Sequence, residues 1–585
     1  MRKLKDTALL TPWGEALSAE SILPEYPRPQ MRRNSYLCLN GPWEYAITVR
    51  PRCPEKFDGT ILVPFSPESA LSGVQRLVEP DDYLWYRRNI LLPEGFDRGR
   101  IFLQFGAVDC LCEVIVDGVL VGSHVGGFLP FAVELTGHLK EGNAFELTVC
   151  VRDFTDTSFY GRGKQSLKPG GIWYTPQSGI WQAVFLESVP NEYVERLRLT
   201  PLFDEAAVRV DVRHNGTQAH VRVLDAGQVV AEGAGKESVT LSLPGFIPWS
   251  PKNPHLYDVQ VRVGDDVVCS YIGMRKMEAR ECRDGRKRLY LNNEPIFLSG
   301  VLDQGYWPDG LLTAPSDEAL KHDIQAMKEM GFNLLRKHIK IEAERWYYHC
   351  DRLGMLVMQD VVNGGGKYNF GTVTLNAFVN ISRPDSDYPR FARSTEESRR
   401  DYERELEETI ACLYSHPCIV SWVPFNEGWG QFDALKACSM ARELDSTRLI
   451  DHASGWHDQG GGDFKSVHIY FRRLTFRPDH RVGLISEFGG YVLNISGHTK
   501  KGRKFGYRLI KDKGTLLKAF QRLYHRQLLP LLLKGVSAAV YTQLSDVEGE
   551  INGLLTYDRK ALKVDTENVK RLQEELYREN TKLCL

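Results

Sequence analysis

At 585 residues and 42% hydrophobic content, the chain exceeds what one core serves, because domains cluster near about 100–150 residues and barrels reach roughly 250. About three domains are expected. Lysine and arginine number 74 against 75 aspartate and glutamate, so no positive excess or polybasic arm offers itself to phosphates, and nucleic acid is not an expected partner.

The start, Met1-Arg-Lys-Leu-Lys-Asp-Thr-Ala-Leu-Leu10, meets Pro12 before an apolar run can form. No later stretch approaches the ~20 apolar residues of a membrane span. The twelve cysteines are scattered, with Cys110-x-Cys112 the one close pair, and no CxxC tandem or HExxH run supplies metal-ligand spacing. Reduced thiols, a cytoplasmic location, no membrane partner, no metal and no cofactor are therefore expected. Homo-oligomerisation is left open.

In chain order, residues 1–191 carry short alternating apolar runs broken by Gly, Pro and Asp. Phe145-Glu-Leu-Thr-Val-Cys-Val151 turns its odd positions to one face, the period of a half-buried strand, and a β-sandwich is expected. Residues 192–280 repeat the style in Val208–Val212, His220–Leu224, Val239–Leu243 and Val259–Val263, which predicts a second sandwich of immunoglobulin size.

Across residues 281–585 apolar runs alternate with amphipathic helices, the pattern of a parallel sheet wrapped by helices. Leu320, Ile324 and Met327 share one helical face that stops at Gly331, and Leu406, Ile410 and Leu413 repeat the spacing before His416-Pro417. Strands are expected at Ile296–Leu298, Asn333–Leu335, Met355–Met358, Ile419–Trp422, Leu449–Asp451, Val467–Ile469, Leu484–Ser486 and Ala538–Tyr541. Eight strands in this span predict a (β/α)₈ barrel. The connections Ala453–Ser466 and Phe471–Val482 are too short or too Gly-rich for full helices, so the fifth and sixth units should be irregular.

Two segments carry chemistry. Ser421-Trp-Val-Pro-Phe-Asn426-Glu427 and Ile485-Ser-Glu487-Phe-Gly-Gly490 each place a glutamate just past an apolar strand, which puts both carboxylates at the barrel's C-terminal mouth. Cleaving a glycosidic bond needs two carboxyl groups flanking it, one as acid and one as base or nucleophile. A lone glutamate after a strand is ordinarily a solvated loop residue. Two at matching positions argue for a catalytic pair.

Over nearly its whole length the chain resembles family 2 of the glycoside hydrolases, which includes β-galactosidases, β-glucuronidases and β-mannosidases. The resemblance rests on Asn40-Gly-Pro-Trp43, Leu84-Trp-Tyr-Arg-Arg88, Val116-Asp-Gly118, His124–Phe131 and Ser178-Gly-Ile-Trp181 in the first domain, and on Trp249–Tyr257 in the second. In the third it rests on Asn333-Leu-Leu-Arg-Lys-His338 and on Ser415-His-Pro417 running to Asn426-Glu427. It implies a jelly-roll sugar-binding domain, an immunoglobulin-like domain and a catalytic TIM barrel acting on carbohydrate. Glu427 would protonate the leaving oxygen, Glu487 would attack the anomeric carbon, Asn426 would hold the sugar 2-hydroxyl, and Tyr470 would hydrogen-bond the nucleophile. Arg336 would hold Glu487 ionised, and Glu427 would have a raised pKa.

Other positions keep two readings. His338 is a sugar-hydroxyl contact or a rim histidine satisfied by a backbone carbonyl, and Asp360 is a substrate ligand or a loop cap. Trp456 and Tyr368 are sugar platforms or packing residues, and Lys500–Lys504 is a solvated loop or an anion-reading edge. In the glucuronidase branch an Asn-x-Lys element grips the uronate. Registering on Gly553-Leu-Leu-Thr-Tyr-Asp-Arg-Lys560 puts Glu550-Ile-Asn552 in its place, which predicts a neutral sugar, galactose by family resemblance, with β-glucuronidase the alternative. A non-catalytic sugar-binding protein is the rival from another class, and a transglycosylase would share every residue named.

Overall fold

The computed structural model describes residues 9–584 except 141, 374, 380 and 501. Residues 1–8, on which the reading of the N-terminus rests, and Lys501 of the basic run lie outside the described residues. Among those described, no helix is long and apolar enough to cross a membrane.

Alternation builds the first sandwich. A six-stranded antiparallel sheet (Gly59–Val63, Gly41–Thr48, Tyr83–Leu91, Ala144–Arg152, Leu111–Val116, Val119–Val125) faces a four-stranded one (Tyr36–Cys38, Val184–Val189, Arg100–Phe105, Phe131–Glu134). Phe145, Leu147, Val149 and Val151 are buried between them with Trp43, Leu84, Tyr86 and Leu186, as the odd-position pattern requires. The other face is covered too at Cys150, by Ala46 and Trp85.

The second sandwich packs Val194–Leu202, Ala207–His214 and Ser238–Ser242 against Gln228–Gly235, Ala219–Asp225, Tyr257–Val263 and Asp266–Ile272. Its core is a ladder of valines, Val208, Val210, Val221, Val223, Val259 and Val261.

The third region closes eight parallel strands almost into a ring. In chain order they are β1 (Leu298–Asp303), β2 (Leu334–Lys337), β3 (Leu356–Asp360), β4 (Ile419–Val423), β5 (Leu449–Ile450), β6 (Phe464–Ile469), β7 (Val482–Gly489) and β8 (Val536–Thr542). They pair in the order β5, β4, β3, β2, β1, β8, β7, β6. The ladder is open between β5 and β6, Phe425–Asn426 past β4 pairs with Ala453–Ser454 past β5, and no helix follows β5 or β6, as the short Gly-rich connections predict.

One strand starts later than expected. Ile296 does not open β1, because Asn292 and Asn293 both adopt left-handed φ (53° and 70°) and fold Glu294–Ile296 back on Lys287–Leu291 as a hairpin. β1 begins at Leu298, and its Gly300 is required by contact, since a Cβ there would lie 2.8 Å from Leu334.

The two amphipathic helices form as their spacing demands. Ser316 caps Asp317–Glu329 by accepting from the Ala319 N–H at 3.1 Å, and Thr395 caps Glu396–Leu413 through Ser398. Leu320, Ile324, Met327, Leu406, Ile410 and Leu413 are buried.

The second sandwich holds the base of β4. Arg275 donates to the carbonyls of Pro417 (3.0 Å) and Ile419 (2.7 Å). Tyr271 donates to Asp351 Oδ2 at 2.8 Å, and Asp351 also takes His416 Nδ1 at 2.7 Å and the Cys418 N–H at 2.8 Å. All of these groups are buried, so removing the carboxylate orphans three partners at once. Asp351→Ala should cost about 3 kcal/mol of stability, read as a lower denaturant midpoint. An unchanged midpoint would show that this junction carries no load.

Candidate active site

β2, β3, β4 and β7 end around one guanidinium. Arg336, fully buried on β2, binds Asp360 at the end of β3 with two hydrogen bonds (2.9 and 3.1 Å). It donates to Asn426 Oδ1 past β4 (2.8 Å) and to the Ser486 carbonyl on β7 (3.2 Å), and its Nη1 lies 3.5 Å from Glu487 Oε1. A planar fork with five donors is suited to joining acceptors from several strands.

Glu427 follows Asn426 in a left-handed conformation (φ 52°), as does Gly428 (φ 73°), where a Cβ would collide with His457 at 2.6 Å. With its N–H on the Ser454 carbonyl (3.0 Å), this turn aims the Glu427 side chain into the mouth. Non-glycine residues held this way cluster at functional sites.

Glu427, His468 and Glu487 each bring an atom within 4.8 Å of the others. Tyr470 stands between the carboxylates, its hydroxyl 2.9 Å from Glu427 Oε1 and 2.7 Å from Glu487 Oε2. His468 Nδ1 lies 2.9 Å from Glu427 Oε1, and Trp456 packs edge-on against the imidazole at 6.0 Å. His468 was not among the expected site residues. It sits two residues before Tyr470 on the same strand run, and strand period puts both on one face. The spacing of the three donors would also suit a cation. A second such group, Asp109, Cys110 and Asp153, has carboxylate oxygens engaged by Gln165, Thr155 and Ser178.

Burial raises both glutamates. It pushes Glu427 up to about 7, against the opposing pull of Lys164, the Tyr470 hydroxyl and Arg336. Glu487 is also raised above its ordinary value by burial, with the Glu427 charge adding to the rise, while His468, Arg336 and Lys164 oppose it. Arg336 thus pulls Glu487 toward its ionised form, and burial outweighs that pull in the net direction. Burial lowers His468 to about 4, so the imidazole is neutral near pH 7.

The remaining expected residues divide. Asn426 Nδ2 and Glu487 Oε1 are buried without a protein partner, so each has a hydrogen bond left for a ligand. Asp360 has none to spare, being occupied by Arg336, His338 Nδ1 (3.0 Å) and the Ile339 N–H (3.3 Å). It positions Arg336 and His338. His338 is satisfied by that carboxylate, not by a backbone carbonyl, and lies against Trp429 at 6.0 Å.

Trp456 is buried under His468 and is no exposed platform. The Tyr368 hydroxyl is tied to Asn363 and Gly364. Glu550 accepts from Tyr174 (2.5 Å) and Asn552 (3.0 Å), and Asn552 accepts from Gln543 (2.8 Å). Lys500 pairs with Glu548 at 3.3 Å and Lys504 with Asn494 at 2.5 Å. Lys164, from the first sandwich, was not anticipated at all.

Family models match in three consecutive blocks: a family 2 glycosyl hydrolase sugar binding domain over residues 74–190, a second family 2 domain over 192–275, and a family 2 TIM barrel domain over 281–503. A β-galactosidase of Thermoanaerobacter pseudethanolicus is 24% identical over 466 residues, 73% of this chain but 57% of that protein. A β-glucuronidase of Streptococcus agalactiae is 23% identical over 69% of this chain and 68% of its own length. The chain thus spans little more than half of the first of these relatives.

Among solved structures, a β-D-glucuronidase of Dictyoglomus thermophilum superposes with a TM-score of 0.74 at 19% identity, covering 94% of this chain and 98% of that one. A β-galacturonidase of Eisenbergiella tayi gives 0.69 at 18%, covering 94% and 99%. At these identities the superpositions speak for the fold, while the three consecutive domain matches settle the lineage: the chain belongs to glycosyl hydrolase family 2.

Proposed function

We propose that the protein is a retaining exo-β-glycosidase in which Glu427 is the general acid/base and Glu487 the nucleophile. The observation that carries this reading is two buried carboxylates whose oxygens approach within 4.8 Å and share one phenol. Retaining enzymes hold their carboxyls about 5–5.5 Å apart, whereas inverting ones leave ~6.5–9.5 Å for a water.

The proton inventory agrees. Tyr470 has one proton to give and two carboxylates in reach, so it can serve an ionised Glu487 while a protonated Glu427 supplies its own hydrogen. Glu427 then gives that proton to the glycosidic oxygen as Glu487 attacks the anomeric carbon, and the aglycone leaves as an alcohol. Glu427, now ionised, takes a proton from water, which attacks the anomeric carbon and releases the sugar with its β-configuration and Glu487 as carboxylate. Asn426 Nδ2, buried without a hydrogen-bond partner, would hold the 2-hydroxyl.

Glu487→Gln should abolish turnover, and Glu427→Gln should slow poor leaving groups far more than activated aryl glycosides. In the wild type, kcat/KM should rise with pH as Glu487 ionises and fall as Glu427 loses its proton near pH 7, because only the pair with Glu487 charged and Glu427 protonated is competent. Glu427→Gln should lose the basic limb. A wild-type rate still rising at about pH 9, or near-normal activity in both variants, would refute the assignment.

The sugar we propose is neutral and galactose-like. Glu550 stands where a uronate-specific relative is expected to place its Asn-x-Lys element, and its own partners are neutral. A uronate ~4 Å from such a carboxylate would be repelled by about 4 kcal/mol at an effective dielectric of about 20. The relatives' names divide between β-galactosidases and β-glucuronidases, so the uronate reading is the alternative. An aryl β-glucuronide should be turned over at least about a hundredfold less efficiently than the best neutral aryl β-glycoside. A preference for the glucuronide would overturn the neutral-sugar reading.

A further inference from the structure

Among the described residues four lysines are buried: Lys164, Lys337, Lys340 and Lys563. Three have carboxylates. Lys337 binds Asp303 (2.7 Å) and Glu342 (3.1 Å), Lys340 binds Glu342 (2.5 Å), and Lys563 binds Asp546 (2.5 Å). Lys164 is 6% exposed, yet among the described residues its ammonium has neither a carboxylate within 4.0 Å nor a hydrogen-bond acceptor. An ammonium so enclosed, with no anion or acceptor beside it, keeps its three donors available to a ligand.

Its position is built, not incidental. Arg162 fixes the loop to the barrel through the carbonyls of Asn363, Gly365 and Gly366. Gln165 ties it back to the sandwich through Asp109 (2.9 Å) and the Gln177 N–H (2.7 Å). Gly163 (φ 60°) passes so close to the Ile339 carbonyl that a Cβ would stand 3.1 Å from it.

The ammonium lies 5.8 Å from the Trp429 ring and 5.5 Å from the Tyr174 ring, a cation held on two π faces. Trp429 comes two residues after Glu427 and packs against His338, and its indole N–H is itself buried without a partner, like Asn426 Nδ2. Two unsatisfied donors, Asn426 Nδ2 and the Trp429 indole N–H, thus flank Glu427 in the chain, and the Lys164 ammonium lies over the ring of the second.

We propose that Lys164, contributed by the first sandwich, is a glycone-binding residue whose ammonium, together with the Trp429 indole N–H, donates hydrogen bonds to hydroxyl oxygens of the terminal neutral sugar. The proposal rests on the reading of Glu427 and Glu487 as the catalytic pair. A hydroxyl fits better than a carboxylate because the site already holds anions for its cations: Arg336 is matched by Asp360, and Lys164 acts on both Glu427 and Glu487. A uronate would add an anion beside Glu550. The positive charge of Lys164 also lowers Glu427, whose other neighbours are His468, Tyr470, Arg336 and Glu487.

The test compares wild type, Lys164→Met and Lys164→Arg on aryl β-galactoside, its 6-deoxy and 4-epimeric congeners, the aryl α-L-arabinopyranoside and the aryl β-glucuronide, with pH profiles. Lys164→Met should lower kcat/KM on the best neutral substrate about a hundredfold or more, and at least about tenfold less on a congener lacking or inverting the hydroxyl it reads. Its basic limb should move to higher pH, and Lys164→Arg should return the limb toward wild type. Equal losses on every sugar with an unmoved limb would mean a structural role and overturn the proposal. A loss confined to the glucuronide would overturn it in favour of carboxylate recognition. Glu487→Gln is run alongside: if that variant is active, the catalytic assignment fails and the proposal with it, whereas an inactive Glu487→Gln with uniform Lys164 losses counts against Lys164 alone.

Discussion

The buried Arg336 guanidinium is the constraint on which the site depends. It is the shared partner of groups at the ends of β3, β4 and β7, so the relative placement of Asp360, Asn426 and Glu487 follows from one rigid fork. Its charge is shared between Asp360, which it binds with two hydrogen bonds, and Glu487 at 3.5 Å. Both glutamates nevertheless lie above their ordinary range. Desolvation governs each, and the nearby cations decide how far each rises.

The other domains act on this site at a distance and directly. The immunoglobulin-like region sets the base of β4 through Arg275 and through Tyr271 on Asp351, and β4 leads into Asn426-Glu427. The first sandwich reaches the mouth itself, since its Arg162 grips the loop after β3 and its Tyr174 occupies Glu550. A barrel alone would lack both the anchor beneath β4 and the wall that Lys164, Trp429 and Tyr174 form together. The geometry of the site is a property of the three packed regions.

Much of this was legible in the sequence, for physical reasons that also mark its limits. Apolar runs of strand length located seven of the eight barrel strands, because a parallel strand buried on both faces must be apolar throughout. Glycine-rich connections revealed where the ring is irregular. The start of β1 was misplaced because Asn292-Asn293 forms a hairpin turn and because Ser299 and Gly300 dilute the apolar signal. His468 was readable from its two-residue spacing to Tyr470. The roles of Asp360 and His338 were not, since a carboxylate that will bind sugar and one that will bind arginine look identical until the partner is placed. Lys164 lies in another domain, and nothing local distinguishes it from a solvated lysine.

The central claim is a covalent intermediate on Glu487, and the most direct measurement is to trap it. An activated 2-deoxy-2-fluoro aryl β-glycoside slows both steps, but a good leaving group lets the first proceed, so the glycosyl-enzyme accumulates. Mass spectrometry of the inactivated protein should find one added fluorosugar, and peptide mapping should place it on Glu487. Inactivation without a covalent adduct, an adduct on Glu427 or another residue, or turnover that yields the α-anomer would contradict the account.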